Sequence, residues 1–279
     1  MPEPQGSKSV KPVQMTPKEA GLFMNKRKPG AYTLLDVRQD WEYEEFHLPG
    51  AHLTPLPELA DRLGEIPRDL PILTYCRSGK RSAAAAGLLS GQGFAPVFTL
   101  NGGIEAWNGQ VATGKRETGM IAFPDSPTPR EILALAHGME DVLGTQYRRM
   151  AQQIQDMDIA STLETLAGFE DKHKSLIRIL FEKLGPGQDN VETLARQFPP
   201  VMESGRSLDE YLRESETDLN APADVLQLAM QIEAQALDLY MRYADKTGPG
   251  EARETFVRLA REEKRHLTAL GNLMTRERK

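Results

Sequence analysis

Cysteine is almost missing from this chain: among 279 residues Cys76 is the only one. A single thiol excludes an internal disulfide and any site that gathers several thiolates on one metal. Positive charge is not in excess either, since 34 Lys and Arg stand against 40 Asp and Glu, for a net charge of −6. Neutralising phosphates needs the opposite balance, so nucleic acid is not expected as a partner. No apolar run approaches the roughly 20 residues that cross a bilayer. The polar start, Met1-Pro2-Glu3-Pro4-Gln5-Gly6-Ser7-Lys8, lacks the apolar core of a signal peptide. With one unpaired thiol, these absences predict a cytoplasmic protein without a membrane partner. Any metal it binds must rely on carboxylates and imidazoles.

The length predicts two domains, and the periodicity divides accordingly. From about 10 to 112, short apolar runs alternate with helical stretches. Tyr32–Val37, Pro71–Tyr75 and Pro96–Leu100 read as buried strands. The first helix opens at Thr16-Pro17-Lys18-Glu19, with a capping Thr, a Pro at the first helical position and a Glu three residues after the cap. This alternation predicts a small α/β domain with a mostly parallel sheet. Residues 113–127, with Gly119, Pro124, Asp125, Ser126 and Pro127, read as a linker. From 128 to 279 the spacing is helical, with helices expected at about 129–155, 158–184, 222–247 and 251–276. The stretch 188–221 is too long for a turn and crosses between the second and third helices.

Cys76 stands in Tyr75-Cys76-Arg77-Ser78-Gly79-Lys80-Arg81-Ser82, after a strand and before a helix near Ser82–Ala86. A strand-loop-helix turn aims backbone N–H groups and the positive helix end at the loop. Arg77, Lys80 and Arg81 add positive charge. All of these favour a thiolate or an anionic persulfide over a neutral thiol. Cys76 is therefore the candidate nucleophile, and Arg77, Ser78, Gly79, Lys80 and Arg81 the candidate substrate-binding residues.

The helical half is duplicated. Ala136-x3-Glu140-x6-Tyr147-x3-Ala151 matches Ala229-x3-Glu233-x6-Tyr240-x3-Ala244, an offset of 233 − 140 = 93. Leu166-Ala167-x2-Glu170-x2-His173 matches Leu259-Ala260-x2-Glu263-x2-His266, and 263 − 170 is again 93. One offset across both pairs indicates a doubled helical hairpin. Glu and His at i, i+3 share a helix face, so packing the hairpins together brings Glu140, Glu170, His173, Glu233, Glu263 and His266 into one core. Such a set suits two iron or manganese ions. Tyr147 and Tyr240 face the same core, where they either hydrogen-bond to ligating carboxylates or only pack. His137 has Met230 as its counterpart and is expected to be a packing or surface residue. Without metal, the alternative is a structural module that forms a homodimer through the bundle.

The first half resembles the rhodanese family. The resemblance rests on Asp36-Val37-Arg38, on Trp41-Glu42-Tyr43-x3-His47-Leu48-Pro49-Gly50-Ala51, on the Cys76 loop and on Gly102-Gly103-Ile104-Glu105-Ala106-Trp107. It implies a sulfurtransferase without a cofactor. Cys76 would take sulfur from a small sulfane-sulfur donor and pass it to a thiol, cyanide or protein acceptor, while Asp36 and Arg38 hold the scaffold. Cysteine phosphatases need Cys-x5-Arg, whereas Arg81 gives Cys-x4-Arg. A phosphatase or arsenate-reductase-like enzyme is thus the alternative, as is a persulfide sensor or carrier with little turnover. The second half is similar to the ferritin-like, rubrerythrin-type superfamily, which implies a four-helix bundle with a carboxylate-bridged di-iron centre on the six ligands named. The extra Glu that usually accompanies the third-helix ligand is missing, since Met230 and Ala236 flank Glu233 at i−3 and i+3. One cysteine also cannot supply a rubredoxin module, so electrons are expected from an external donor.

Overall fold

The computed structural model describes residues 11–277 apart from 95, 124–125, 186, 188, 203–204, 206–212 and 214–218. The chain divides into two compact units, Met1–Arg116 and Glu117–Lys279.

The first unit runs β1 (Val13–Met15), α1 (Pro17–Asn25), β2 (Thr33–Asp36), α2 (Asp40–Glu45), β3 (His52–Leu53), β4 (Ile72–Tyr75), α3 (Lys80–Gly91) and β5 (Val97–Leu100). These five strands pair in parallel in the order β1-β5-β4-β2-β3. Helix α1 starts as its sequence predicts: the Glu19 N–H donates to Thr16 Oγ1 at 3.3 Å and the Thr16 N–H to Glu19 Oε2 at 2.8 Å. The sheet is covered on both faces. Leu34, Leu73, Tyr75 and Leu100 belong to one apolar cluster, and Leu35, Ile72, Ala85, Ala86 and Leu89 to the other. Each such Leu or Ile contributes about 1.5–3 kcal/mol when fully buried. Strand β4 lies in the middle and is buried throughout. Its carboxyl end, beside the reversal in strand order, is where open parallel sheets bind ligands.

The three strands expected from apolar runs are β2, β4 and β5. Strands β1 and β3 carry no such signal. They are 3 and 2 residues long, and Val13 is half exposed. Backbone pairing with a strong neighbour recruits them: Val13 aligns with Phe98, and His52 with Leu35.

The second unit holds α4 (Pro129–Gln153), α5 (Met157–Lys183), α6 (Val191–Ala195), α7 (Pro222–Lys246) and α8 (Glu251–Glu277). Helices α4 and α5 form one hairpin, α7 and α8 the other. Helix α4 begins with the second Thr-Pro-x-Glu box, the Thr128 N–H donating to Glu131 Oε2 at 2.8 Å. Short helix α6, capped by Asn190 through the Thr193 N–H at 2.8 Å, lies in the crossover. Most of 203–218 is outside the described residues.

The expected linker, 113–127, is not a linker throughout. Tyr243 Oη accepts from the Ile121 N–H at 2.5 Å and donates to the Ile121 carbonyl at 3.0 Å. Arg242 Nη1 donates to the Thr118 carbonyl at 2.8 Å. Met120, Ile121 and Phe123 pack on the bundle core. Gly and Pro signal the absence of regular structure there, which is not the absence of packing.

Candidate functional site

Cys76 directly follows β4 and is buried. Gly79, at φ +94°, makes the turn into α3, a conformation that only glycine adopts without strain. The turn lets the Gly79 N–H donate to Cys76 Sγ at 3.1 Å. Ser82 Oγ donates to the Gly79 carbonyl at 3.1 Å and accepts from Thr99 Oγ1 at 3.0 Å, so the loop is tied to β5. From the other side the Ile104 and Glu105 N–H groups donate to the Cys76 and Arg77 carbonyls at 2.8 and 3.1 Å. Gly103 permits that approach: at φ +62°, a Cβ there would collide with both carbonyl oxygens.

Two of the expected substrate-binding cations are paired with carboxylates, and Arg81 reaches Cys76 as well. Arg81 places Nη1 and Nη2 on the Glu42 carboxylate at 2.6 and 2.7 Å. The Arg81 bond holds the buried Glu42 carboxyl below its ordinary value, with burial opposing. Arg77 Nε donates to Glu105 Oε1 at 2.7 Å, an exposed pair. Ser78 and Lys80 are exposed beside them. Glu42, Gly103 and Glu105 were not among the candidate residues. Their partners are 39, 27 and 28 positions away, so only the rhodanese motif pattern carried a signal for them.

Asp36 and Arg38 form a buried pair at the end of β2. Arg38 Nη2 bonds Asp36 Oδ2 at 2.8 Å and the Phe46 carbonyl at 2.7 Å, positions that suit scaffolding rather than contact with Sγ.

In the bundle, Glu140, Glu170 and His173 converge, with one ligand atom from each within 4.8 Å of the others, and Glu233, Glu263 and His266 do the same. His173 Nδ1 lies 2.9 Å from Glu170 Oε2 and 3.5 Å from Glu140 Oε2. His266 Nδ1 lies 2.8 Å from Glu263 Oε2 and 3.1 Å from Glu233 Oε2. The two imidazoles stack with centroids 3.3 Å apart, so the two triplets form one centre. All four glutamates are buried. Burial drives the Glu263 carboxyl well above its ordinary value, reinforced by Glu140 and Glu233 and resisted by His266. Burial also disfavours charge on His266, but Glu263 and Glu233 outweigh it and carry the ring up to about 11. Glu140 goes the other way: hydrogen bonds from His173 and Glu170 overcome burial and hold it at about 2. Protons thus offset a surplus of buried negative charge, a task suited to two divalent cations. The donor set, four carboxylates and two imidazoles without a thiolate, fits iron or manganese.

Tyr147 and Tyr240 are buried among apolar residues of the two core clusters. His137 is buried too, but its Nε2 points toward Glu192 Oε1, 3.9 Å away, and not into the centre.

A rhodanese-like domain model matches residues 16–110, and a rubrerythrin model matches residues 131–274, just over half of the chain. The chain belongs to the rubrerythrin family and carries a rhodanese-like domain as well. A sulfurtransferase of Allochromatium vinosum is 40% identical over 74 residues, which cover 26% of this chain and 69% of that protein. The thiosulfate sulfurtransferase GlpE of Pseudomonas syringae is 37% identical over 81 residues, 29% of this chain and 76% of that one. The uncharacterized protein YqhL of Bacillus subtilis is 38% identical over 82 residues, and there the chain spans 65% of the relative's length. The rhodanese-like domain is the parallel-sheet unit, and the rubrerythrin domain is the helical, ferritin-like one. Sulfurtransferase-type activity is supported for the rhodanese-like domain at the level of its family. No helix among the described residues is long and apolar enough to cross a membrane.

Proposed function

We propose that this protein transfers sulfane sulfur through a persulfide on Cys76 and holds a di-iron centre in its rubrerythrin domain. The observation that carries the first part is the setting of Cys76 Sγ at the amino end of α3, with the Gly79 N–H directed at it. Backbone N–H groups and the helix dipole stabilise an anionic sulfur there. In the first step the Cys76 thiolate attacks the outer sulfur of the donor. The donor's S–S bond breaks, and sulfite (from thiosulfate) or a thiolate (from a persulfide) leaves with the bonding pair. In the second step cyanide or a thiol attacks the outer sulfur of the Cys76 persulfide, and the Cys76 thiolate leaves. No cofactor takes part. The phosphatase reading is disfavoured because four residues separate Cys76 from Arg81, one fewer than the Cys-x5-Arg loop that encloses a phosphate. The work is assigned to the cytoplasm, where a lone thiol stays reduced.

In the rubrerythrin domain, Glu140, Glu170 and His173 would hold one iron and Glu233, Glu263 and His266 the other. A di-iron centre supplies electron transfer to oxygen or peroxide, and an external donor must replenish it. The four buried carboxylates would neutralise the metal charge, and the apolar clusters around them would limit water.

The test is thiosulfate:cyanide sulfur transfer by wild type and Cys76→Ser, repeated with an organic persulfide as donor. Turnover by wild type that falls to background in the variant is expected. Absence of Cys76-dependent turnover with either donor would leave only the sensor or carrier reading.

A further inference from the structure

We propose that Gly144, together with Arg148 and Asp171, positions Glu170 and makes the first half of the metal centre the more tightly held half. This rests on the di-metal reading above. The offset of 93 that repeats the ligands pairs Gly144 with Leu237, Arg148 with Met241 and Asp171 with Lys264. The ligands are duplicated, then, but their supports are not.

Gly144 is buried on α4, one turn after Glu140 and on the same face. A Cβ at this position would stand 3.0 Å from Glu170 Cβ and 3.5 Å from its Cγ. The bare backbone is what lets the Glu170 side chain lie against α4. Arg148, a turn further on, brings Nη1 to 3.7 Å from the same point. Its Nη2 donates to the Ala167 carbonyl at 3.5 Å and to the Asp171 carboxylate. Ala167 and Asp171 bracket Glu170 on α5, so one guanidinium fixes the helix on both sides of the ligand. In the second half, Leu237 adds a large side chain where Gly144 has none. Met241 and Lys264 cannot reproduce the Arg148–Asp171 bond, because a thioether donates nothing and an ammonium accepts nothing. A ligand already held in place loses less freedom when metal arrives, so the first half should bind more tightly.

The test is cobalt(II) titration of the metal-stripped, full-length protein, followed by visible absorption and a count of bound metal. Wild type should take up two cobalt ions per chain in two resolved steps. Gly144→Ala should weaken the tighter step by at least about 10-fold, the usual effect of disturbing a residue that orients a ligand, and leave the other step in place. Arg148→Met, which copies the second half on an accessible side chain, should weaken the same step to a lesser degree. Circular dichroism shows whether each stripped variant keeps its helices, and if Gly144→Ala does not, Arg148→Met decides. Unchanged binding, or equal weakening of both steps, overturns the positioning role while the metal reading stands. Wild type that binds no cobalt overturns both.

Discussion

Glu42 anchors Arg81 in the first turn after the thiol loop, although it lies on α2 and not in the loop. Its carboxylate is buried and takes two hydrogen bonds from Arg81. Hydrogen bonds to charged groups are worth about 1.5–3 kcal/mol, so Glu42→Gln should lose stability of that order at neutral pH in urea unfolding. The sign with pH follows from linkage. The folded Glu42 sits below its ordinary value of 4.5, chiefly through Arg81. Its contribution is therefore complete above about that pH and is lost as pH falls through the lowered folded value. The stability gap between wild type and Glu42→Gln should narrow below pH 4.5; a gap that widens there would show that Arg81 is not the cause. At Asp36, removing the carboxylate by Asp36→Ala leaves buried Arg38 without its partner, a change that costs about 3–5 kcal/mol. The same measurement reads it. At this scale the sequence displayed Cys76 clearly, because strand, loop and helix are contiguous around it. The commitment of Arg81 and Arg77 to Glu42 and Glu105 was not legible, because it depends on which loops the sheet brings together.

Among the elements, the junction of β5 with the Cys76 loop is the least tolerant. Gly103→Ala places a methyl group in the Cys76 and Arg77 carbonyls and forces a residue with a Cβ to φ +62°. Strain of this kind costs about 1–3 kcal/mol before the collision is counted. Sulfur transfer should collapse in that variant while its iron content stays at the wild-type level; retained transfer would show that the loop is not held from this side. The long helices were the most legible elements. Their observed ends lie within about two residues of expectation, because 25 or 27 residues of apolar spacing with Thr-Pro-x-Glu and Gly-Pro-Gly signals leave little freedom. The equal offset of the two Glu-x6-Tyr frames and the two Glu-x-x-His motifs likewise singled out the six residues that the folded chain gathers in two triplets. Strands β1 and β3 were not legible, since strands this short are created by their neighbours. Nor was the packing of 117–123 on the bundle, which is built from side-chain contacts without a regular repeat.

As a whole molecule, the protein has separate apolar cores in its two units: two clusters in the rhodanese-like domain and two in the rubrerythrin domain. Separate cores predict separate cooperative transitions in calorimetry. A metal that binds only the folded bundle would stabilise it by about 4 kcal/mol when it stands at a thousand times its dissociation constant. Chelation should therefore lower the melting temperature of one transition and leave the other unmoved. A single transition that shifts as a unit would contradict this. Whether Cys76 carries sulfur is read from the intact mass of the protein after brief exposure to a sulfane donor without an acceptor. Wild type should gain the mass of one sulfur atom and lose it on adding cyanide, while Cys76→Ser gains nothing. Wild type whose mass does not change with thiosulfate or with an organic persulfide would contradict the claim.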